Sequence, residues 1–353
     1  MNKINDINVS MIKKLRCAIL LLCIITFATA EGQEYSVARM MWWNVENLFD
    51  PSNDSLTADD EFTTTGTKHW TYNRFYQKKD SIYKTILYMG INRLPVAIGL
   101  CEVENDWVLR QLCLNTPLRK FNYDFVHYDS PDTRGIDVAL LYKVDRFEVL
   151  YSQPIAVKDS ADTTFNTRDI LLVKGVIKDM DTVFLLLAHF PSKLQADISE
   201  KRRSLAAAVM AYTLDTIVAQ NTEPKIVIMG DFNDAPDAKC ITEVMKILPQ
   251  NDETANMINL MANYPAGEGT YKYDGFWECL DQVMISRNLY PQYSTSIEVV
   301  DGKANIYKPN FLLMPDNKYW GMKLYRTYNG PIYKGGFSDH LPVYIDIKKR
   351  KNR

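Results

Sequence analysis

A strand that is apolar at every position must be covered on both faces, and this chain has several. Val183-Phe184-Leu185-Leu186-Leu187-Ala188 shows no alternation of apolar and polar residues. Ile98-Gly99-Leu100-Cys101 and Ile226-Val227-Ile228-Met229 read the same way. Such strands lie in the interior of a layered protein, not on a half-solvated sheet. Two sheets packed together with helices outside satisfy them. Each run also stops at a polar residue: His189 after the first, Glu102 after the second, Gly230-Asp231 after the third. Reactive groups thus gather at strand ends.

The rest of the chain supplies the outer layers. Arg74 to Met89, with Ile82, Ile86 and Met89 on one side, has helical spacing. Asp106 to Leu114 and Ser199 to Val218 read as further helices, and the second of these has an Ala-rich face. Val37 to Val45, Phe121 to His127, Ile136 to Tyr142, Ile170 to Ile177, Cys279 to Ser286 and Leu341 to Ile347 read as strands. No repeat and no Pro/Gly/Ser-rich linker divides the chain, so residues 31–353 are expected to form one domain. Two polar stretches are long for loops, Asp50 to Trp70 and Gly302 to Phe337, and loops of that length are often functional. The acidic run Asp54 to Glu61 lacks the spacing of a calcium loop and reads as solvated.

The N-terminus has a different composition. Lys13, Lys14 and Arg16 precede the apolar run Ala18 to Phe27, which ends in Ala28-Thr29-Ala30. This is the layout of a secretory signal peptide over residues 1–30, too short for a membrane span. Met11 is an alternative start. An exported, periplasmic or extracellular monomer with no stable membrane insertion is expected. Cleavage after Ala30 removes four basic residues and one acidic residue, which leaves 37 against 42 and a net charge of -5. Any grip on a polyanion must then be local. Cys101, Cys113, Cys240 and Cys279 match no zinc or disulfide pattern, and Cys101 and Cys279 read as buried thiols.

Taken singly, the polar strand ends have bland readings. Asp231 and Asn233 in Gly230-Asp231-Phe232-Asn233 form either an Asp/Asn turn or, if extended, a carboxylate and an amide on one side. Glu102, with Glu104 two residues further on, is either a solvated strand end or a metal ligand. Asp281 is less bland, because Leu280-Asp281-Gln282 lies in an apolar strand and a buried carboxylate needs a partner.

Five motifs in one order carry a stronger signal. They are Trp43-Asn44-Val45-Glu46-Asn47, Leu100-Cys101-Glu102, Gly230-Asp231-Phe232-Asn233, Leu280-Asp281-Gln282 and Ser338-Asp339-His340. Together they resemble the endonuclease/exonuclease/phosphatase superfamily, which includes deoxyribonuclease I, from about Met40 to Ile347. The strings Trp42 to Asp50 and Arg134 to Tyr142 look like its exported bacterial branch. The resemblance implies a four-layer α/β sandwich, two packed mixed sheets flanked by helices, and metal-dependent phosphoester hydrolysis. It implies Mg²⁺ or Mn²⁺ on Glu102, with Asn44 and Asp339 beside it. Asp231 would orient or deprotonate the attacking water, and Asn233 would hold phosphate. His340 would contact the phosphoryl oxygens, oriented by Asp281, and His189 would serve phosphate or leaving group.

The chemistry agrees with the residue types. Attack on a phosphoester builds charge on oxygen, which a metal and an imidazolium stabilise. A buried Asp281 beside His340 would keep the ring protonated. Arg134 and Arg168 suit phosphate, with a surface ion pair as the equal alternative. In the Gly302 to Phe337 loop, Trp320 and Tyr325 among lysines would form a substrate wall, or simply pack the loop. A nuclease-like phosphodiesterase cutting DNA or RNA is expected first. A phosphatase or sphingomyelinase-like enzyme comes second, and an inactive binding domain third.

Overall fold

The computed structural model describes residues 37–193 and 196–350. The signal-peptide reading of residues 1–30 lies outside them. No helix among the described residues is long and apolar enough to cross a membrane.

The elements run β1 (Val37–Leu48), α1 (Tyr72–Met89), β2 (Ala97–Val103), α2 (Asp106–Leu114), β3 (Tyr123–His127), β4 (Asp137–Lys143), β5 (Phe147–Ile155), β6 (Ile170–Ile177), β7 (Thr182–His189), α3 (Ala196–Gln220) and β8 (Ile226–Asp231). The last two long strands are Asp281–Ser286 and Val343–Lys349. One seven-stranded sheet places β1 between β2 and the strand Val343–Lys349, with β4 and β3 beyond β2. The other seven-stranded sheet runs β5, β6, β7, β8 and then Asp281–Ser286.

The unalternating strands are indeed covered twice. Met40 and Trp42 of β1 meet Leu185, Leu187, Val227 and Met229 between the sheets. Met41, Trp43 and Val45 face Phe75, Ile82 and Ile86 of α1 and Val108 and Leu112 of α2. Leu186, Ala188 and Ile228 face Ala206, Ala207 and Met210 of α3. The result is the four-layer α/β sandwich: helix, sheet, sheet, helix. β5 was not legible in the sequence. It is an edge strand with mixed exposure, and it carries Pro154, which an edge tolerates because no ladder partner needs its missing N–H.

Cys101, Cys113 and Cys240 are buried free thiols, while Cys279 is only partly covered. It precedes its strand instead of lying in it, which corrects the expectation for that residue. The Gly302 to Phe337 segment is not a bare loop. It contains two small hairpins, Leu313–Pro315 with Met322–Leu324 and Tyr328–Asn329 with Ile332–Tyr333.

Candidate active site

Strand register builds the site. In the second sheet Asp231 pairs with His189 on one side and with Asp281 on the other, so three neighbouring strands each present one functional side chain. In the first sheet Asn44 pairs with Cys101, and the ladder then slips before Leu48 meets Val103. Three residues of β1 face one of β2 there. Glu46, Asn47 and Glu102 take positive φ of 53°, 56° and 61° at this bulge, a conformation that costs energy for non-glycine residues. The bulge turns Glu102 toward the other sheet's strand ends, 4.0 Å from His189, and Glu46 toward Arg326 and Lys78.

Asn44 links the two halves. Its Nδ2 donates to Glu102 Oε1 at 3.2 Å and to Asp231 Oδ2 at 3.0 Å. Its Oδ1 accepts from the Glu46 amide at 2.9 Å, and Glu102 Oε2 accepts from the Asn47 amide at 2.8 Å. Asp281, fully buried, is held by Trp42 Nε1 at 2.9 Å and faces His340 Nδ1 at 2.6 Å. His340 Nε2 then lies 3.7 Å from Asp231 Oδ2. Ser338 fixes the turn: its hydroxyl donates to Asn44 O and accepts from the His340 amide.

Electrostatics separates the roles. Burial opposes a charge on His340, but Asp281 and Asp231 outweigh it and hold the ring's pKa well above the ordinary value. Burial, reinforced by Asp281, pushes Asp231 up to about 6. His189 has no carboxylate in direct hydrogen bond. Its Nε2 lies 3.7 Å from Asp231 and 4.0 Å from Glu102. Burial, then Arg168, Arg134 and His340, drive its pKa well below the usual range, so it is a neutral imidazole. Its Nδ1 is buried with no partner among the described residues.

Several expectations change. Asn233 does not share a face with Asp231 by strand alternation, because its φ is 50° and the chain turns there. Its amide N–H donates to Asp231 Oδ1 and its side-chain Nδ2 to Phe190 O, both at 2.9 Å. Arg168, expected on substrate phosphate, is buried and engaged. Its guanidinium donates to His189 O, Phe190 O and Asp132 Oδ2, at 3.2, 2.6 and 2.9 Å. It positions the His189 segment. Arg134 is half-exposed, 3.7 Å from Asp132 Oδ1, and its charge bears on His189. Glu104, read as a solvated strand end, is buried, and so is Asp59 of the acidic run. Arg203 pairs with Asp234 at 2.8 Å.

Other groups were not legible as site residues. Glu46 is buried, and burial together with Asp339 raises its pKa. It accepts from the Thr327 amide and pairs with Arg326 at 3.3 Å and with Lys78 at 4.0 Å. Arg326 also donates to Asp339 Oδ2 at 2.6 Å. The spacing of Glu46 two residues after Asn44 was the one available signal. Tyr271 packs against His340 with the rings tilted, their centres 4.9 Å apart. Trp320 is fully exposed, whereas Tyr325 packs against Phe337 and donates to Lys334 O.

Glu102 and Asp231 both accept from the Asn44 amide, and Glu46 and Asp339 are joined to each other through Arg326. Burial raises the pKa of Glu46, helped by Asp339, and that of Asp231, helped by Asp281, and carboxylate oxygens so placed suit a hard divalent cation of the Mg²⁺ or Mn²⁺ kind.

Comparison with known proteins agrees on the architecture. The sequence pattern of the Endonuclease/Exonuclease/phosphatase family matches residues 39–349. The human nocturnin catalytic domain, solved with a bound sulfate anion, superposes with TM-score 0.55 at 16% identity, covering 89% of this chain and 95% of that one. D. rerio TDP2 complexed with single strand DNA product gives 0.53 at 12% identity over 89% and 99%. A mannosyl-6-phosphatase of Bacteroides thetaiotaomicron gives 0.53 at 12% over 88% and 99%. No curated protein sequence matches significantly.

Proposed function

Because the chain belongs to the endonuclease/exonuclease/phosphatase family, whose members hydrolyse phosphoesters, we propose that it is a divalent-metal-dependent phosphodiesterase acting on nucleic acid. One observation carries the reading: Asp231 lies between the His340–Asp281 pair and the Asn44–Glu102 contact. A water against Asp231 meets a carboxylate that can take its proton, while Asn44 fixes the orientation of that carboxylate. His340, kept charged by Asp281, donates from Nε2 to a phosphoryl oxygen as negative charge grows there. His189, neutral, offers a second hydrogen bond without repelling His340. When bound at Glu102, Glu46 and Asp339, a divalent metal supplies charge neutralisation of the phosphoryl group.

The diester preference rests on the rim. Trp320 is fully exposed, and Tyr273 and Phe276 are mostly exposed on the hairpin that begins at Tyr271, against the catalytic ring. Tyr319 ties the two hairpins together by a hydrogen bond to Asp274, and Lys318 pairs with the same carboxylate. Aromatic faces beside lysines suit unstacked bases. A sugar phosphomonoester is the second reading, favoured by Arg326, whose half-exposed guanidinium adds a cation for a dianionic group. The signal-peptide layout of residues 1–30 supports export under either reading, with cleavage after Ala30. The deciding experiment compares the mature protein with Mg²⁺ or Mn²⁺ on single-stranded DNA, RNA, bis-p-nitrophenyl phosphate and mannose 6-phosphate. Turnover of the monoester alone would overturn the diesterase reading.

A further inference from the structure

We propose that the Asp50–Asp59 turn and Glu104 form a second cation site, of the calcium type, separate from the catalytic centre. Glu104 is 6% exposed and Asp59 is 0% exposed. Each has one hydrogen-bonded oxygen: Glu104 Oε2 accepts from the Asp50 amide at 2.6 Å, and Asp59 Oδ2 from the Asp54 amide at 3.0 Å. The other oxygens, Glu104 Oε1 and Asp59 Oδ1, are buried with no partner among the described residues. Thr57 Oγ1, two residues before Asp59, is in the same state. The charges that bear most on Glu104 are those of Asp50, Asp59 and Asp54, all negative.

A buried carboxylate oxygen with neither donor nor cation is costly, and two of them, one in the turn after β1 and one just past β2, are rarely retained without a ligand. All the available donors are oxygens, which selects a hard cation. Calcium takes six to eight oxygens in irregular loops, whereas magnesium demands near-octahedral geometry and sheds its water reluctantly. The sequence lacks the regular spacing of a calcium loop because the ligands come from two places, the turn after β1 and the end of β2.

The position gives such an ion a purpose. The Glu104 amide donates to Leu48 O at 3.2 Å, so this residue already ties β2 to the end of β1. Glu102, two residues earlier, is in the catalytic centre. A cation joining Glu104 to the turn would hold the strained bulge that presents Glu46 and Glu102.

Thermal unfolding of the chelated full-length mature protein tests this with added CaCl₂. The wild type should gain about 3 °C or more at saturation. Glu102→Gln, altered in the catalytic centre, should gain the same. Glu104→Gln and Asp59→Asn should gain nothing. No rise in the wild type, a full rise in both site variants, or loss of the rise in Glu102→Gln would each overturn the proposal. Should a site variant not fold, equilibrium dialysis of Glu102→Gln against ⁴⁵Ca²⁺ decides: about one ion per chain supports the site, and none overturns it.

Discussion

Trp42 Nε1 reaches across the space between the two sheets to donate to Asp281 Oδ1 at 2.9 Å, leaving Oδ2 for His340. A core residue of one sheet thereby fixes a carboxylate of the other, which in turn orients the His340 ring. Trp43, on the opposite face, donates to His340 O at 2.9 Å. Two consecutive indoles constrain the same histidine from both sides of β1.

Asp281 and His340 should therefore act as a unit. Asp281→Asn and His340→Ala are each expected to lower kcat by roughly 10²–10⁴, and the double variant little further. A double-mutant cycle in kcat/KM measures the coupling. Additive losses would mean independent roles.

The pH profile should be bell-shaped. Asp231, pushed up to about 6 by burial and Asp281, must lose its proton, so the rate rises with pH. A nearby bound metal favours the carboxylate, which puts the acid limb at or below that value. His340 must keep its proton, so the rate falls on the alkaline side, above the ordinary histidine range. Asp281→Asn removes the charge that raises His340 and should shift the alkaline limb to lower pH. Initial rates from pH 4 to 10 would show it.

Chelation should abolish turnover, and Mg²⁺ or Mn²⁺ should restore it. Glu102→Gln should raise the metal concentration needed for half-maximal rate by about tenfold or more. An unchanged metal dependence would remove Glu102 from the metal centre.

Lys78 is fully buried opposite Glu46, and burial pulls its pKa down to about 8. Lys78→Met leaves Glu46 with less compensation and should cost about 3 kcal/mol in urea unfolding. Adding Glu46→Gln should recover part of that loss.

Trp320 and Tyr325 should behave differently. Trp320→Ala is expected to raise KM for a nucleic acid about threefold to tenfold, with Tm unchanged. Tyr325→Ala should lower Tm, because its ring and hydroxyl pack the segment. A steady-state assay paired with a melting curve separates the two.

Most of the frame was legible because burial on both faces leaves a plain mark: Val183 to Ala188 needs no context to be read as interior. The strand-end motifs named Asn44, Glu102, Asp231, Asp281 and His340, which the fold brings together from two sheets. Lys78 left no trace, since a lysine on an amphipathic helix ordinarily faces water. Arg168 misled because its residue type fits phosphate and carbonyl oxygens alike. The bulge at Glu46 and Glu102 depends on a register slip between strands about 55 residues apart, which no local pattern encodes.

The Leu313–Leu324 hairpin closes on itself, with its cross-strand pairs running from Leu313↔Leu324 to Pro315↔Met322. Arg326 and Thr327, just beyond it, bind Glu46 and stay with the catalytic frame. The segment can thus be treated as a cassette with natural splice points. Lys272 and Asp274 of the Tyr271 hairpin bind Asp316 and Tyr319, so replacing residues 314–323 with another self-closing hairpin that keeps Asp316 and Tyr319 should retarget the enzyme while leaving its chemical step intact.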